Sequence, residues 1–164
     1  PVGLSDMIGT KKFYEWNGNP GAGHFEHPGH NRTDSSELPV TTLDAFATAQ
    51  GWFREGATPP TISILKMDVE HHETNVITGA EKLLKAGMIK NVFVDLFLDD
   101  ASDKEAKTQA IDFLVSAGYK LKGQGGFAGP EHDSLWNNDE NLGKNMMDFF
   151  EKHKYQNWNL WWAL

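Results

Sequence analysis

Two apolar runs dominate the pattern of the chain. "TISILKMDV", Thr61 to Val69, and "NVFVDLFL", Asn91 to Leu98, have the continuous hydrophobic character of strands covered on both faces. Between them Val76, Ala80, Leu83 and Leu84 recur at helical spacing, with Thr74 as the expected N-cap and Gly87 just past the end. After the second run, Ser102-x-x-Glu105 is expected to cap a helix carrying Ala106, Ala110, Phe113, Leu114 and Ala117, stopped by Gly118 before the short strand "YKLK". The order is β-α-β-α-β. Two buried parallel strands joined by a helix need a right-handed crossover, so the pattern predicts an α/β fold: a doubly wound, mostly parallel sheet with helices on both faces. Ligands of such sheets sit outside the carboxyl ends of the strands.

The flanks are weaker. "KKFYEW", Lys11 to Trp16, reads as a strand, and the stretch from Asn17 to Pro39, rich in Gly, Pro, His and Asn, has no period and reads as a lid or surface excursion. Thr41-x-x-Asp44 matches a capping box before a helix running to about Gln50, which "GWFREGATPP" breaks. Beyond Gly123 the expectation is a flexible loop, a helix at "NMMDFFEKH" and an aromatic tail, "NWNLWWAL", packed back onto the core. With 164 residues the chain has the size of one domain, residues 1–164, with its core over about 2–121.

Composition narrows the partners. A formal charge of −8 without a Lys/Arg stripe argues against nucleic acid or an anionic membrane surface and for a small-molecule substrate or another protein as the partner. The absence of cysteine excludes disulfides, a thiolate nucleophile and thiolate-bound metal. No apolar run reaches the roughly 20 residues of a membrane helix, so a soluble protein is expected, the cytoplasm slightly favoured over other compartments. The start at Pro1 suggests a processed chain or a fragment, and Asn31-Arg32-Thr33 would be a glycosylation sequon only in a secreted protein.

Candidate chemistry gathers at "ILKMDVEHHE", where the first buried strand turns into acids and imidazoles. Asp68, Glu70 and His72 are the catalytic candidates, because a strand-end carboxylate beside an imidazole can orient it and raise its basicity. The plainer alternative has the acids bonding backbone amides of the next helix while His71 and His72 are solvated. Asp95, inside "VFVDLFL", must lie at the open strand end or be paired, and either way should face the same cleft as Asp68, as a substrate contact or a structural partner. His24, His27 and His30, with Glu26 between, could ligate a metal, although a Gly/Pro-rich segment gives no rigid spacing and favours a solvated loop. Trp158, Trp161 and Trp162 could line a ligand groove or an oligomer contact. Gly79 interrupts a helix, for which close helix–sheet packing is the expected reason.

"TTLDAF", "ISILKMDVEHHETNVITGAEKLL", "NVFVDLFL" and "AGYKL" together resemble the C-terminal half of FkbM-type S-adenosylmethionine-dependent methyltransferases. The matching positions are Thr42, Leu43, Asp44, Lys66, Asp68, Glu70, Glu73, Gly79, Ala80, Leu83, Leu84, Gly118 and Tyr119, and "VGLSDMIGTKKFY" resembles the strand and turn upstream. The resemblance implies a Rossmann-like fold, incomplete on its N-terminal side, and O-methyl transfer to a hydroxyl of a small molecule or sugar. It implies Asp68, Glu70 and His72 as catalytic residues, Asp95 and Glu73 as substrate contacts, and no metal ligand. His71 stands where the family usually has glycine, and Asp95 where it more often has glutamate. The family's glycine-rich loop and the ribose-binding acid have no counterpart, so the cofactor-binding residues are unassigned and S-adenosylmethionine binding by this chain alone should be weak or nil. "GQGGFAG", Gly123 to Gly129, follows a late strand and cannot replace that loop. The alternatives are a non-catalytic methyltransferase-like binding module and a metal-binding protein using His24, His27 and His30. An open sheet edge would need cover from the tail, a second chain or a missing N-terminal segment.

Overall fold

The structure is a computed structural model that describes residues 2–15, 23–26, 35–97, 104–125, 141–153 and 157–164. It is mixed α/β and divides into two compact units, residues 1–60 with 69–83, and residues 61–68 with 84–164.

The first unit is built on a four-stranded sheet of order β1-β4-β2-β3, with β1 Gly3–Leu4, β2 Gly9–Tyr14, β3 His24–Phe25 and β4 Ser36–Thr41. β1 runs parallel to β4, and β2 runs antiparallel to both β4 and β3. The expected aperiodic excursion from Asn17 to Pro39 therefore contains β3 and most of β4. These strands were hidden by their brevity and by Pro39, which β4 accommodates because β1 pairs only with Val40 and Thr41, beyond the residue that has no N–H to give. Helix α1, Leu43–Ala49, starts one residue later than the expected capping box: Thr42 is the N-cap, its Oγ1 accepting from the Ala45 N–H at 2.9 Å. Asp44 turns to another task. Its two carboxylate oxygens accept from the N–H groups of Lys82 and Leu83 at 2.8 and 3.1 Å, at the start of α3, Glu81–Lys85.

The single helix expected from Thr74 to Gly87 is two: α2, Glu73–Thr78, and α3, with the break at Gly79 and Ala80. Asp44 holds the break, its N–H donating to the Gly79 carbonyl at 2.9 Å while its carboxylate caps the start of α3. Gly79 has an ordinary helical φ of −71°, but a Cβ there would lie 2.0 Å from the Ser5 carbonyl oxygen. Val40, Ala47, Val76, Ile77 and Ala80 are buried.

The second unit has a sheet of order β5-β6-β8-β7, formed by β5 Leu65–Met67, β6 Asn91–Phe97, β7 Lys120–Gly125 and β8 Asn157–Ala163. β5 and β6 are parallel, whereas β8 is antiparallel to both β6 and β7. Both sheets are thus mixed, in place of the expected mostly parallel one. In the first sheet the reason is β2, antiparallel to both its neighbours; in the second it is the C-terminal segment, which is no tail: it inserts between β6 and β7, giving two antiparallel ladders. Val92, Val94, Leu96, Leu160 and Trp162 are buried on one face. Phe93 and Trp161, on the other, are 37% and 38% exposed, so the expectation of strands covered on both faces fails there. Helices α4, Lys104–Ser116, and α5, Leu142–His153, pack together, tied by Lys104 Nζ to Asp148 at 2.7 Å and Glu151 at 2.6 Å. Ser102, the expected cap of α4, lies outside the described residues. Among the described residues no helix is long and apolar enough to cross a membrane.

Candidate functional site

In the second unit β5 and β6 pair through Leu65↔Val92, Lys66↔Phe93 and Met67↔Val94. Parallel strands present their carboxyl ends at the same edge, so Asp68 and Asp95, the residues next after Met67 and Val94, leave the pair at one level. Strand alternation sets the face. Lys66 and Asp68 share one side of β5, where Lys66 Nζ donates to Asp68 Oδ2 at 2.8 Å with both side chains well exposed. Phe93 and Asp95 share one side of β6, and β8 brings Asn159 opposite Asp95 and Trp161 opposite Phe93. A polar row, Asp68, Asp95 and Asn159, therefore adjoins an aromatic row. Asp95 is buried and Asp68 exposed, so of the two carboxylates Asp68 is the one open to a solute.

The aromatic row lines a cleft of about 260 Å³, bounded by Lys66, Phe93, Gly123, Asn159 and Trp161. The Phe93 and Trp161 rings stack with centroids 5.6 Å apart and planes 6° from parallel. Trp161 Nε1 donates to Asn91 Oδ1 at 3.0 Å, and Asn91 Nδ2 donates to the Ser63 carbonyl at 2.9 Å, which fixes the plane of the indole.

The remaining candidates belong to the first unit. Glu70 and His71 have φ of 49° and 69°, the left-handed region that costs a side chain about 1–2 kcal/mol and favours glycine. Glu73, at the start of α2, is buried, and its Oε1 accepts from the Val69 N–H at 2.8 Å, closing the turn. His72 is 4% exposed, which corrects the expectation of a solvated imidazole. Its Nε2 lies 3.1 Å from the Ser5 hydroxyl oxygen, and Ser5 in turn donates its one proton to Asp6 Oδ1 at 2.7 Å. Since that proton is committed, His72 Nε2 must be the donor to Ser5, which assigns the tautomer from the network. Lys11 Nζ completes the chain at 3.0 Å from Asp6 Oδ1, and the Phe25 ring lies against the imidazole at 4.8 Å.

Burial pushes the imidazole down to about 4, reinforced by the nearby Lys11 charge against a weaker opposite pull from Asp6. His72 is accordingly neutral at pH 7 and a weak base. Burial works to raise Asp6, but hydrogen bonds from Ser5 and Lys11 and the Lys11 charge outweigh it and hold the carboxyl at about 2.

Of the histidine set, His24 is buried in β3 with its ring stacked on Tyr14, while His27 and His30 lie outside the described residues. Among the described residues no cluster of three His, Asp or Glu side chains could hold a metal ion. The partners of His72 and the stacked aromatic pair were missed by sequence reasoning. Ser5 lies 67 residues from His72, and Trp161 lies 68 from Phe93, separations at which no periodicity carries a signal.

S-adenosylmethionine, the cofactor implied by the resemblance, needs a bare backbone turn between a strand and a helix. Among the described residues the turn joining β5 to α2 carries side chains at both left-handed positions, Glu70 and His71, and Gly79 is filled by the Ser5 carbonyl. These residues do not fit the cofactor's cradle.

The profile of the methyltransferase FkbM domain matches residues 3–121. Comparison with curated proteins finds no match, and comparison with solved structures finds none.

Proposed function

Because the chain belongs to the FkbM methyltransferase family, we propose that it forms the acceptor side of an S-adenosylmethionine-dependent O-methyl transfer to a hydroxyl of a small molecule or sugar, within a Rossmann-like fold. The observation that carries the reading is the position of Asp68, exposed at the carboxyl end of a parallel strand pair and level with Asp95, where open α/β sheets bind ligands. Asp68 accepts the proton of the acceptor hydroxyl, Lys66 orients that carboxylate and Asn159 positions the acceptor, while the buried Asp95 serves as a structural partner. His72, neutral and bonded to Ser5, positions the turn between β5 and α2, as do Glu70 and Glu73. The donor, when bound, supplies an electrophilic methyl group.

The test is methyl transfer from radiolabelled S-adenosylmethionine to hydroxyl acceptors, with donor at millimolar levels so that weak donor binding does not mask the step. Asp68→Asn should lower turnover by about 100-fold or more with an unchanged melting temperature. A variant as active as the parent rejects Asp68 as the base. No transfer by the folded parent favours the second reading, a non-catalytic methyltransferase-like binding module, which the lack of a glycine cradle among the described residues supports.

A further inference from the structure

We propose that the hydrogen bond from His72 to Ser5 is an acid-released latch: it keeps residues 69–72 in a strained turn while the imidazole stays buried, and mild acid opens that turn. The turn and Ser5 both belong to the first unit. Glu70 and His71 are consecutive residues with side chains in the left-handed region, a conformation that persists where surrounding structure imposes it. His72 follows as the N-cap of α2, a position where a short hydroxyl, amide or carboxylate side chain ordinarily accepts from the first helical amides. Its side chain makes no such cap and reaches Ser5 instead, 67 positions away in the chain.

Ser5 is a fixed post. It is fully buried, its N–H donates to the Thr41 carbonyl at 2.8 Å, its hydroxyl donates to Asp6, and its carbonyl oxygen occupies the space beside Gly79. When the bond between the two residues breaks, the turn is the side that moves.

The groups around the ring make the latch sensitive to protons. Ahead of β2 and within it, Asp6 and Lys11 face the imidazole, and they pair with each other at 3.0 Å, so the Asp6 charge is already answered by a cation. β3 presents the uncharged Phe25 ring, whereas His24 turns to Tyr14. On the ring's own segment the titratable neighbours are Glu70, His71 and Glu73, and Glu73 is engaged with the Val69 N–H. A second proton on the imidazole is opposed by burial and by Lys11 while the turn is shut, and is stabilised by water once it opens. Protonation therefore draws the equilibrium toward the open turn as pH falls from 6.5 toward 4. The latch does not depend on the methyl-transfer reading.

The experiment is amide hydrogen exchange of the whole chain, followed by NMR at pH 7 and pH 5 and corrected for intrinsic rates. The reporters are the amides of Val69, bonded to Glu73 Oε1, and of Val76, bonded to the His72 carbonyl. A ring that titrates at 6.5 when open and at about 4 when closed raises the opening constant roughly 20-fold between these two conditions. His72→Gln, whose amide still donates to Ser5 but does not titrate, should abolish the rise. Ser5→Ala should speed both reporters about 10-fold already at pH 7; should it fail to fold, the comparison of the parent with His72→Gln decides. The latch is overturned if the parent shows no rise, if His72→Gln shows the same rise, or if folded Ser5→Ala exchanges like the parent. It also falls if the reporters exchange no faster than amides inside α4, because the turn then opens only when the whole chain unfolds.

Discussion

At the scale of single residues, His72 shows how burial changes an imidazole's role. Held against Phe25 and bonded to Ser5, it stays neutral down to about pH 4, while in the unfolded chain it takes a proton near its ordinary value of 6.5. Between those values the unfolded state binds the extra proton, so stability falls as pH drops through this window. The shift corresponds to roughly 3 kcal/mol lost by pH 4. Urea unfolding at pH 7 and pH 4.5 checks this: the parent should lose most of that amount, and His72→Gln, which has no titrating ring, should lose much less. Equal losses in both would place the acid sensitivity elsewhere. Asp6 acts lower, its stabilising effect fading only as pH falls from 3.8 toward 2.

At the scale of elements, the junction of α2, α3 and β1 is fixed by close approach. Helix propensity alone says that Gly79→Ala should stabilise by about 1 kcal/mol. The Ser5 carbonyl 2.0 Å from the missing Cβ reverses the sign, because backbone cannot step aside as a flexible side chain can. Gly79→Ala should therefore destabilise by about 1–3 kcal/mol, and Gly123→Ala, whose Cβ meets only an ordinary contact, should leave stability unchanged or slightly raised. Thermal melts of the two variants compare them directly; a Gly79→Ala protein as stable as the parent would refute the packing argument. The same junction explains why Asp44, the expected member of a capping box on its own helix, serves α3: the amides of Lys82 and Leu83 lack intrahelical partners at a helix start, and Asp44 satisfies them.

At the scale of the whole molecule, the C-terminal segment decides the architecture of the second unit. β8 pairs with β6 over seven residues and with β7 on its other side, and Leu160 and Trp162 are fully buried. Removing residues 158–164 takes away a central strand and exposes two ladders at once. The truncated chain should lose the near-ultraviolet dichroism of its packed aromatics and its cooperative unfolding transition. Retention of both, with only a change in oligomeric state, would return the segment to the role of an edge cover.

What the sequence by itself determined is local. The parallel strand pair was legible at "ILKM" and "NVFVDLF", helix α4 at its apolar spacing, and the ends at Gly87 and Gly118 in their left-handed φ of 62° and 93°. All of these depend on neighbours within a few positions, or on the periods of a strand and a helix. The tertiary structure alone decided that "NWNLWWA" is a central strand, that His72 is buried against Ser5, and that Trp161 stacks on Phe93 beside an open glycine. Each joins residues more than 30 positions apart. Whether an apolar stretch covers a sheet or enters it, and whether an imidazole meets water or a hydroxyl, depends on which distant surface excludes water from it, and no local pattern encodes that.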